Sequence, residues 1–380
     1  MIINKDNNNS NLTYISRLEK LLPLSVNYYY FNVNNVHNLQ EVILLKDQLN
    51  PETKILLEGV MEGYETLIKY IYQTLICEQG IDESKFQVLS GAYDVKQLVE
   101  KYAKHFNKKL IKSEWVSEFE FLMSTQLYHK IFFNRQIYDR RVDTEFFKSY
   151  ICLNRRWRLH RPVIVGMLKK YNLLNRGFVS FADAEVNPSW DEVKNSILST
   201  HKDNSEIFDY FSNYFDEFKN LYPLTIDHSS LQDMGLWALT DTLDWQYANS
   251  YFSLVTETNF HSDPDKYNSY YVSICEPTRF YSEKTFKPMV FKHPFVLASV
   301  PYMLQGLREI GYKTFHPYIN EDYDTELDDN KRLLKIIHEV KRLSYLQPKE
   351  LQEFLDKTQE IVDHNYERLS SVYKNWLLNK

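Results

Sequence analysis

The sequence predicts an α/β protein of two domains followed by a helical tail, on three observations. Apolar runs of strand length alternate with helix-spaced segments over residues 25–145, and the alternation restarts at about residue 146. The stretch 251–300 reads as one complete strand–loop–helix–strand unit. From residue 326 to 380 the apolar positions, among them Leu351, Phe354, Leu355, Ile361 and Leu369, recur among charges at helical spacing.

In order, a polar start gives way to a short helix around 15–22, a β-rich run at Ser25–Val33 and a short element at Glu41–Leu45. Lys54–Leu57 is an apolar strand ending at Glu58-Gly59, and Tyr64–Cys77 has the spacing of a helix. A second strand, Phe86–Leu89, runs into Ser90-Gly91 ahead of a helix at Asp94–Phe106 and a short strand at Leu110–Ile111. Glu58, Glu62 and Asp94 all follow strand ends, where ligands of open α/β sheets sit, so they are the candidates for a general base. Glu58 comes first among them because the glycine after it lets backbone and ligand approach closely.

Asn134–Lys148 is charged and short of apolar runs, and it reads as the crossing between domains. A buried strand at Tyr150–Leu153 then runs into Asn154-Arg-Arg-Trp-Arg-Leu-His-Arg161, with a helix at Pro162–Tyr171 whose proline sits in the first turn. Four arginines and a histidine in eight residues, between a strand and a helix start, suit a pyrophosphate. The competing reading is a solvated basic turn. Asn154, Arg155, Arg156 and Arg161 are taken from this turn as phosphate-side candidates, and Arg158 is assigned to the surface. A strand at Phe178–Phe181, a helix at Ser205–Leu221 and a loop through Ile226–Met234 follow.

The unit at 251–300 begins with the stretch Tyr251–Phe260, a buried strand that ends in the carboxylate of Glu257 and is followed by Asn259. Beyond a polar loop come Arg279 and a helix opening on Ser282-Glu283-Lys284, then the apolar run His293–Val300. The anion-favouring start of that helix would lie beside Glu257, Asn259 and Arg279 in one crevice. A helix at Tyr302–Ile310, a short strand at Thr314–Phe315, an acidic loop at Asn320–Asp329 and a helical tail over Lys331–Leu378 complete the chain.

Ser-Leu-Val-Thr-Glu257-x-Asn259, followed by Phe-Tyr-Ser-Glu283-Lys284, resembles the donor-binding motif of the α1,3-fucosyltransferase-type (family 10-type) glycosyltransferases. The pattern departs from theirs at Thr258, Pro288 and His293. The resemblance implies two facing Rossmann-like domains of the GT-B type. Residues 1–145 would take the acceptor and 146–325 the nucleotide-sugar, and 326–380 would pack back on the first domain. It implies that Lys284 and Arg279 neutralise the donor phosphates, that Glu283 accepts from the ribose hydroxyls and that Asn259 orients ribose or sugar.

Composition bounds these expectations. The 380 residues carry a net charge of −6, and the pI is near 6.0, so no field holds a polyanion nonspecifically. Cys77, Cys152 and Cys275 lack metal-ligand spacing and point to a reducing, cytoplasmic setting, with no membrane span. Asp263-Pro-Asp265 resembles a metal-binding pair but sits in a polar loop, and the histidines at 160, 261, 293 and 316 have no zinc-like spacing. No Walker loop or dinucleotide glycine pattern occurs.

The sequence thus points to a hexosyl- or pentosyl-transferring glycosyltransferase, inverting and metal-independent. It would need no cofactor besides the nucleotide-sugar, which is a substrate, and the acceptor would be a glycan, a small molecule or a modified DNA base. Two alternatives fit the same residues: a glycosyltransferase of hydroxymethylated bases in viral DNA, and a non-catalytic nucleotide- or glycan-binding protein of the same fold.

Overall fold

A computed structural model describes residues 2–4, 26–33, 39–44, 46, 49–50, 52–61, 63–129, 148–154, 156–181, 189–226, 244–263 and 277–379. Contacts divide the chain into two compact units, Met1–Glu118 and Phe119–Lys380. Each is built on a parallel sheet, and the chain ends in helices, which is the predicted α/β class with its helical tail. The expected helix at 15–22 and the crossing at 134–147 lie outside the described residues.

In the first unit β1 (Ile2–Asn4), β2 (Asn27–Asn32), β3 (Thr53–Gly59), β4 (Phe86–Ser90) and β5 (Lys112–Trp115) lie side by side in chain order. Successive side chains of a strand face opposite ways. Ile55 and Leu57 therefore join one apolar cluster while Leu56 joins the other. Burial on both faces explains why β3 and β4 are legible as continuous apolar runs. The larger cluster is roofed by α1 (Leu39–Leu44), α2 (Glu65–Tyr70, continued with wider π turns to Glu78) and α3 (Val95–Phe106). Asn107, in the left-handed conformation, ends α3. The strand expected at Leu110–Ile111 starts two residues later, because Ile111 is drawn into that cluster and its N–H bonds the Tyr72 hydroxyl at 3.1 Å.

The second unit contains most of α4 (Glu118–Tyr128), then β6 (Lys148–Cys152), α5 (His160–Lys170), β7 (Gly177–Val179), α6 (Trp190–Thr200), α7 (Ser205–Lys219) and α8 (Asp244–Ala248). β8 (Ser250–Thr256), α9 (Glu283–Val290), β9 (Phe295–Ala298), α10 (Met303–Glu309), α11 (Asp329–Ser344) and α12 (Pro348–Leu378) follow. The strand order is β7-β6-β8-β9, all parallel. The winding therefore reverses between β6 and β8, and a crevice opens beyond the carboxyl ends of strands at such a point. α12 packs on α4: the Tyr373 N–H donates to Ser124 Oγ at 2.8 Å, and Phe121 sits edge-on to Tyr373 and Trp376.

Thr314 and Phe315 form no strand. The half-buried Glu321 carboxylate takes the N–H groups of Phe315 and His316 and the Thr314 hydroxyl, which folds the segment into turns.

α5 and α7 meet at Gly166, where an added Cβ would lie 2.3 Å from Cζ of the buried Phe211 ring. Gly166→Ala is therefore expected to lower unfolding stability by about 1–3 kcal/mol through overpacking, measured by urea denaturation. An unchanged midpoint would show that the ring moves aside freely.

Candidate functional site

The reversal between β6 and β8 sets the turn 153–159 beside the segment 257–262. Asn154, buried after β6, donates from Nδ2 to the Ser180 carbonyl at 3.0 Å and accepts from Thr256 Oγ1 at 2.7 Å. Arg161 is 3 % exposed, and its guanidinium donates to the carbonyls of Arg156 (2.6 Å), Thr256 (3.2 Å) and Glu257 (3.3 Å). Those three bonds join the turn to the end of β8. Arg156 is exposed, Arg158 Nη1 bonds the Trp157 carbonyl, and Arg155 lies outside the described residues. Of the basic turn, Arg156 is thus the exposed member among the described candidates.

His160 is the histidine that the sequence counts with the arginines of this turn. It is fully buried, stacks on Phe260 and bonds the Glu257 carbonyl through Nε2 at 3.0 Å. Burial pushes its imidazole well below the usual range, with the Arg161 charge adding to the effect. A neutral ring bonded to a carbonyl carries its proton on Nε2.

Glu257 follows β8 directly and is fully buried. Its Oε1 accepts from Ser282 N (3.1 Å) and Thr285 Oγ1 (2.6 Å), and its Oε2 from Ser282 Oγ (2.7 Å) and Thr258 N (2.9 Å). An ionised carboxylate offers about four lone-pair sites. All are taken, so the side chain holds the first turn of α9. The anion-favouring start of that helix is thereby filled by a residue of the chain itself. Arg279 Nη1 lies 3.8 Å from Glu309 Oε2 and 3.5 Å from the Tyr302 carbonyl. Asn259, also buried, donates to the Thr278 carbonyl and hydroxyl.

Ser282 caps α9, as its position before Glu283-Lys284 predicts. Lys284 Nζ bonds Ser282 Oγ at 2.9 Å and Glu283 Oε1 at 3.0 Å, and a quarter of its side chain reaches solvent. One helical turn beyond Glu283 stands Lys287, which the sequence reading missed although the i, i+4 spacing marks it. Both are buried. Burial raises the Glu283 carboxyl, but the nearby Lys284 and Lys287 charges outweigh it and hold it below the usual range. Burial pushes Lys287 down to about 8, with Glu283 opposing and Lys284 assisting.

In the first unit Glu58, 1 % exposed, accepts from Tyr30 Oη (2.8 Å), Asn32 Nδ2 (3.0 Å) and Val60 N (3.1 Å), which ties β2 to the end of β3. Asp94 stands half-exposed at the start of α3, just past β4. Glu62 lies outside the described residues, as does Asp265, whereas Asp263 is exposed. Two of the histidines weighed above are structural. His293 bridges Ser253 Oγ and the Tyr247 carbonyl, and His261 pairs with the buried Asp329 at 3.0 Å. Among the described residues no three His, Cys, Asp or Glu side chains are placed to hold a metal ion, and no helix is long and apolar enough to cross a membrane.

No protein-family model matches the chain, and no curated protein matches it in sequence. Solved structures with a similar course include the following. An α,α-trehalose-phosphate synthase (UDP-forming) from Burkholderia vietnamiensis is 10 % identical with a TM-score of 0.36, the match covering 97 % of this chain and 75 % of that one. A trehalose-6-phosphate synthase is 10 % identical with a TM-score of 0.38, covering 96 % and 74 %. A glycosyltransferase from Rickettsia africae is 10 % identical with a TM-score of 0.30, covering 100 % and 85 %. Likeness this distant assigns no substrate to the chain.

The Lys287 environment gives a pH signature. An unfolded lysine titrates near 10.4, so between about pH 8 and 10 the unfolded chain binds more protons at this position than the folded one. The contribution of Lys287 to stability is therefore expected to rise with pH across that window. Urea denaturation of the wild type and Lys287→Met at several pH values isolates it: the difference between them should change in that direction. A difference independent of pH would place the folded ammonium near its ordinary value.

Proposed function

We propose that the chain is a nucleotide-sugar-dependent glycosyltransferase, inverting and metal-independent, whose second unit binds the donor. The observation that carries this reading is the winding reversal between β6 and β8, beyond which Lys284 stands on the first turn of α9. Sugar transfer leaves negative charge on the departing nucleotide, and fixed cations beside it stabilise the transition state. Lys284 and Arg279 supply that charge in the proposal, with Arg156 reaching in from the opposite turn. Glu257, Asn154 and Arg161 act through position, because they are buried and their hydrogen bonds tie the strand ends and α9 together. Glu283, besides accepting from the ribose, holds Lys284 in place.

The donor, acceptor and base are part of the same proposal. A hexose or pentose would pass to an acceptor hydroxyl deprotonated by a carboxylate of the first unit. Asp94 ranks ahead of Glu58 on exposure, since an acceptor hydroxyl must reach the base and Glu58 is buried with three donors already on it. Glu62 is the third candidate.

Titration calorimetry with nucleoside diphosphates, followed by donor-hydrolysis assays, tests binding and catalysis separately. Lys284→Ala should weaken nucleotide binding by about 1.5–3 kcal/mol, the worth of a charge-assisted contact. A folded variant with wild-type affinity would remove Lys284 from the site.

For the base, Asp94→Asn is expected to lower kcat by about 10²–10⁴-fold while nucleotide affinity stays level. Glu58→Gln should chiefly lower the melting temperature. Full turnover in Asp94→Asn together with a turnover loss in a stable Glu58→Gln would reverse the order.

A further inference from the structure

Tyr302 is placed in a way that the fold does not require. It follows β9 by four residues, at the carboxyl edge of the second sheet, and it adopts the left-handed conformation with φ +64°. For a bulky side chain that conformation is strained, whereas glycine would adopt it freely. The backbone is held there from several sides. Its N–H donates to the Asp324 carbonyl at 2.6 Å, and its carbonyl accepts from Gly306 N at 3.0 Å and faces Arg279 Nη1 at 3.5 Å. The Asp324 carboxylate meanwhile binds the N–H groups of Leu304 and Gln305, fixing the turn into α10. The ring gains little in return, because Tyr302 remains 39 % exposed.

Among the described residues the other exposed aromatics lie elsewhere. Trp245 precedes β8 at the opposite edge of the sheet, Tyr345 stacks on Arg176 beyond the end of α11, and Tyr128 and Tyr214 are on helices. Tyr302 is thus the exposed aromatic, among the described residues, in the segment that leaves the carboxyl end of a strand. Strain of this kind persists where the surroundings over-determine it, and it clusters at ligand sites.

We infer that Tyr302 is a stacking platform for the planar base of a nucleotide. The inference rests on the donor-site reading above, since Arg279, whose Nη1 faces the Tyr302 carbonyl, would then lie on the phosphate side of the same ligand. A ring face takes any base, so Tyr302 would supply affinity for the nucleoside without choosing among bases. Its hydroxyl is not needed for this.

The test is calorimetric titration of wild type, Tyr302→Phe, Tyr302→Ala and Tyr302→Gly with uridine, guanosine, adenosine, cytidine and thymidine diphosphates, and with inorganic pyrophosphate. The expected result is a 5- to 150-fold weaker Kd for the best diphosphate in the Ala and Gly variants, taking roughly the range typical of base–aromatic stacking. Tyr302→Phe should stay near wild type and pyrophosphate binding should not change. Tyr302→Gly should melt no lower than wild type, because it relieves the backbone. Undiminished diphosphate affinity in the Ala and Gly variants would overturn the inference, as would equal loss of pyrophosphate binding. A wild type that binds pyrophosphate as tightly as every nucleoside diphosphate would remove the base subsite and leave the phosphate site standing. A wild type that binds neither would overturn the donor-site reading, and this inference with it.

Discussion

The buried carboxylate of Glu257 is the constraint on which the second unit depends. Four donors converge on its two oxygens, and its backbone joins two further elements: the N–H donates to the carbonyl of Ala298 at the end of β9, and the carbonyl accepts from His160 and Arg161 at the start of α5. β8, β9, α5 and α9 therefore meet at one residue. A carboxylate this deeply buried is tolerable only when every lone pair is satisfied, and removing a donor would leave a charge without compensation. The hydroxyls of Ser282 and Thr285 thus serve as much to accommodate Glu257 as to start a helix.

A second network fixes the floor of the same crevice. Arg332 of α11, almost wholly buried, donates to the carbonyls of Ser299, Phe260 and Glu326 and pairs with Asp329. Burial alone would raise the Asp329 carboxyl, but its bond with His261 and the Arg332 charge outweigh that and hold it well below the usual range. The loops after β8 and β9 are consequently pinned from beneath. Charges that reach solvent, Lys284 above all, then project from a rigid base, which suits a site where electrostatic stabilisation must be in place before charge develops.

Much of this was legible from the residues. β3, β4, β8 and β9 are buried on both faces and stand out as apolar runs, and Ser282 before Glu283-Lys284 marks a helix start by its capping chemistry. The order of strands was not legible, because parallel pairing is set by tertiary contacts that leave no local signature. The same limit applies to individual roles. Nothing in the spacing shows that Glu257 turns inward to Ser282, that Arg161 bonds carbonyls, or that Glu58 is held by Tyr30 and Asn32. Thr314–Phe315 resembled a strand because the carboxylate that folds it, Glu321, stands six residues further on.

A crystal structure of the full chain with a bound nucleoside diphosphate tests the central claim most directly. The account predicts the diphosphate beyond the carboxyl ends of β6 and β8, with an oxygen within hydrogen-bond distance of Lys284 Nζ and the Glu257 bonds to Ser282 and Thr285 intact. A diphosphate bound elsewhere, or one that reaches this crevice only after Glu257 has released α9, would contradict it.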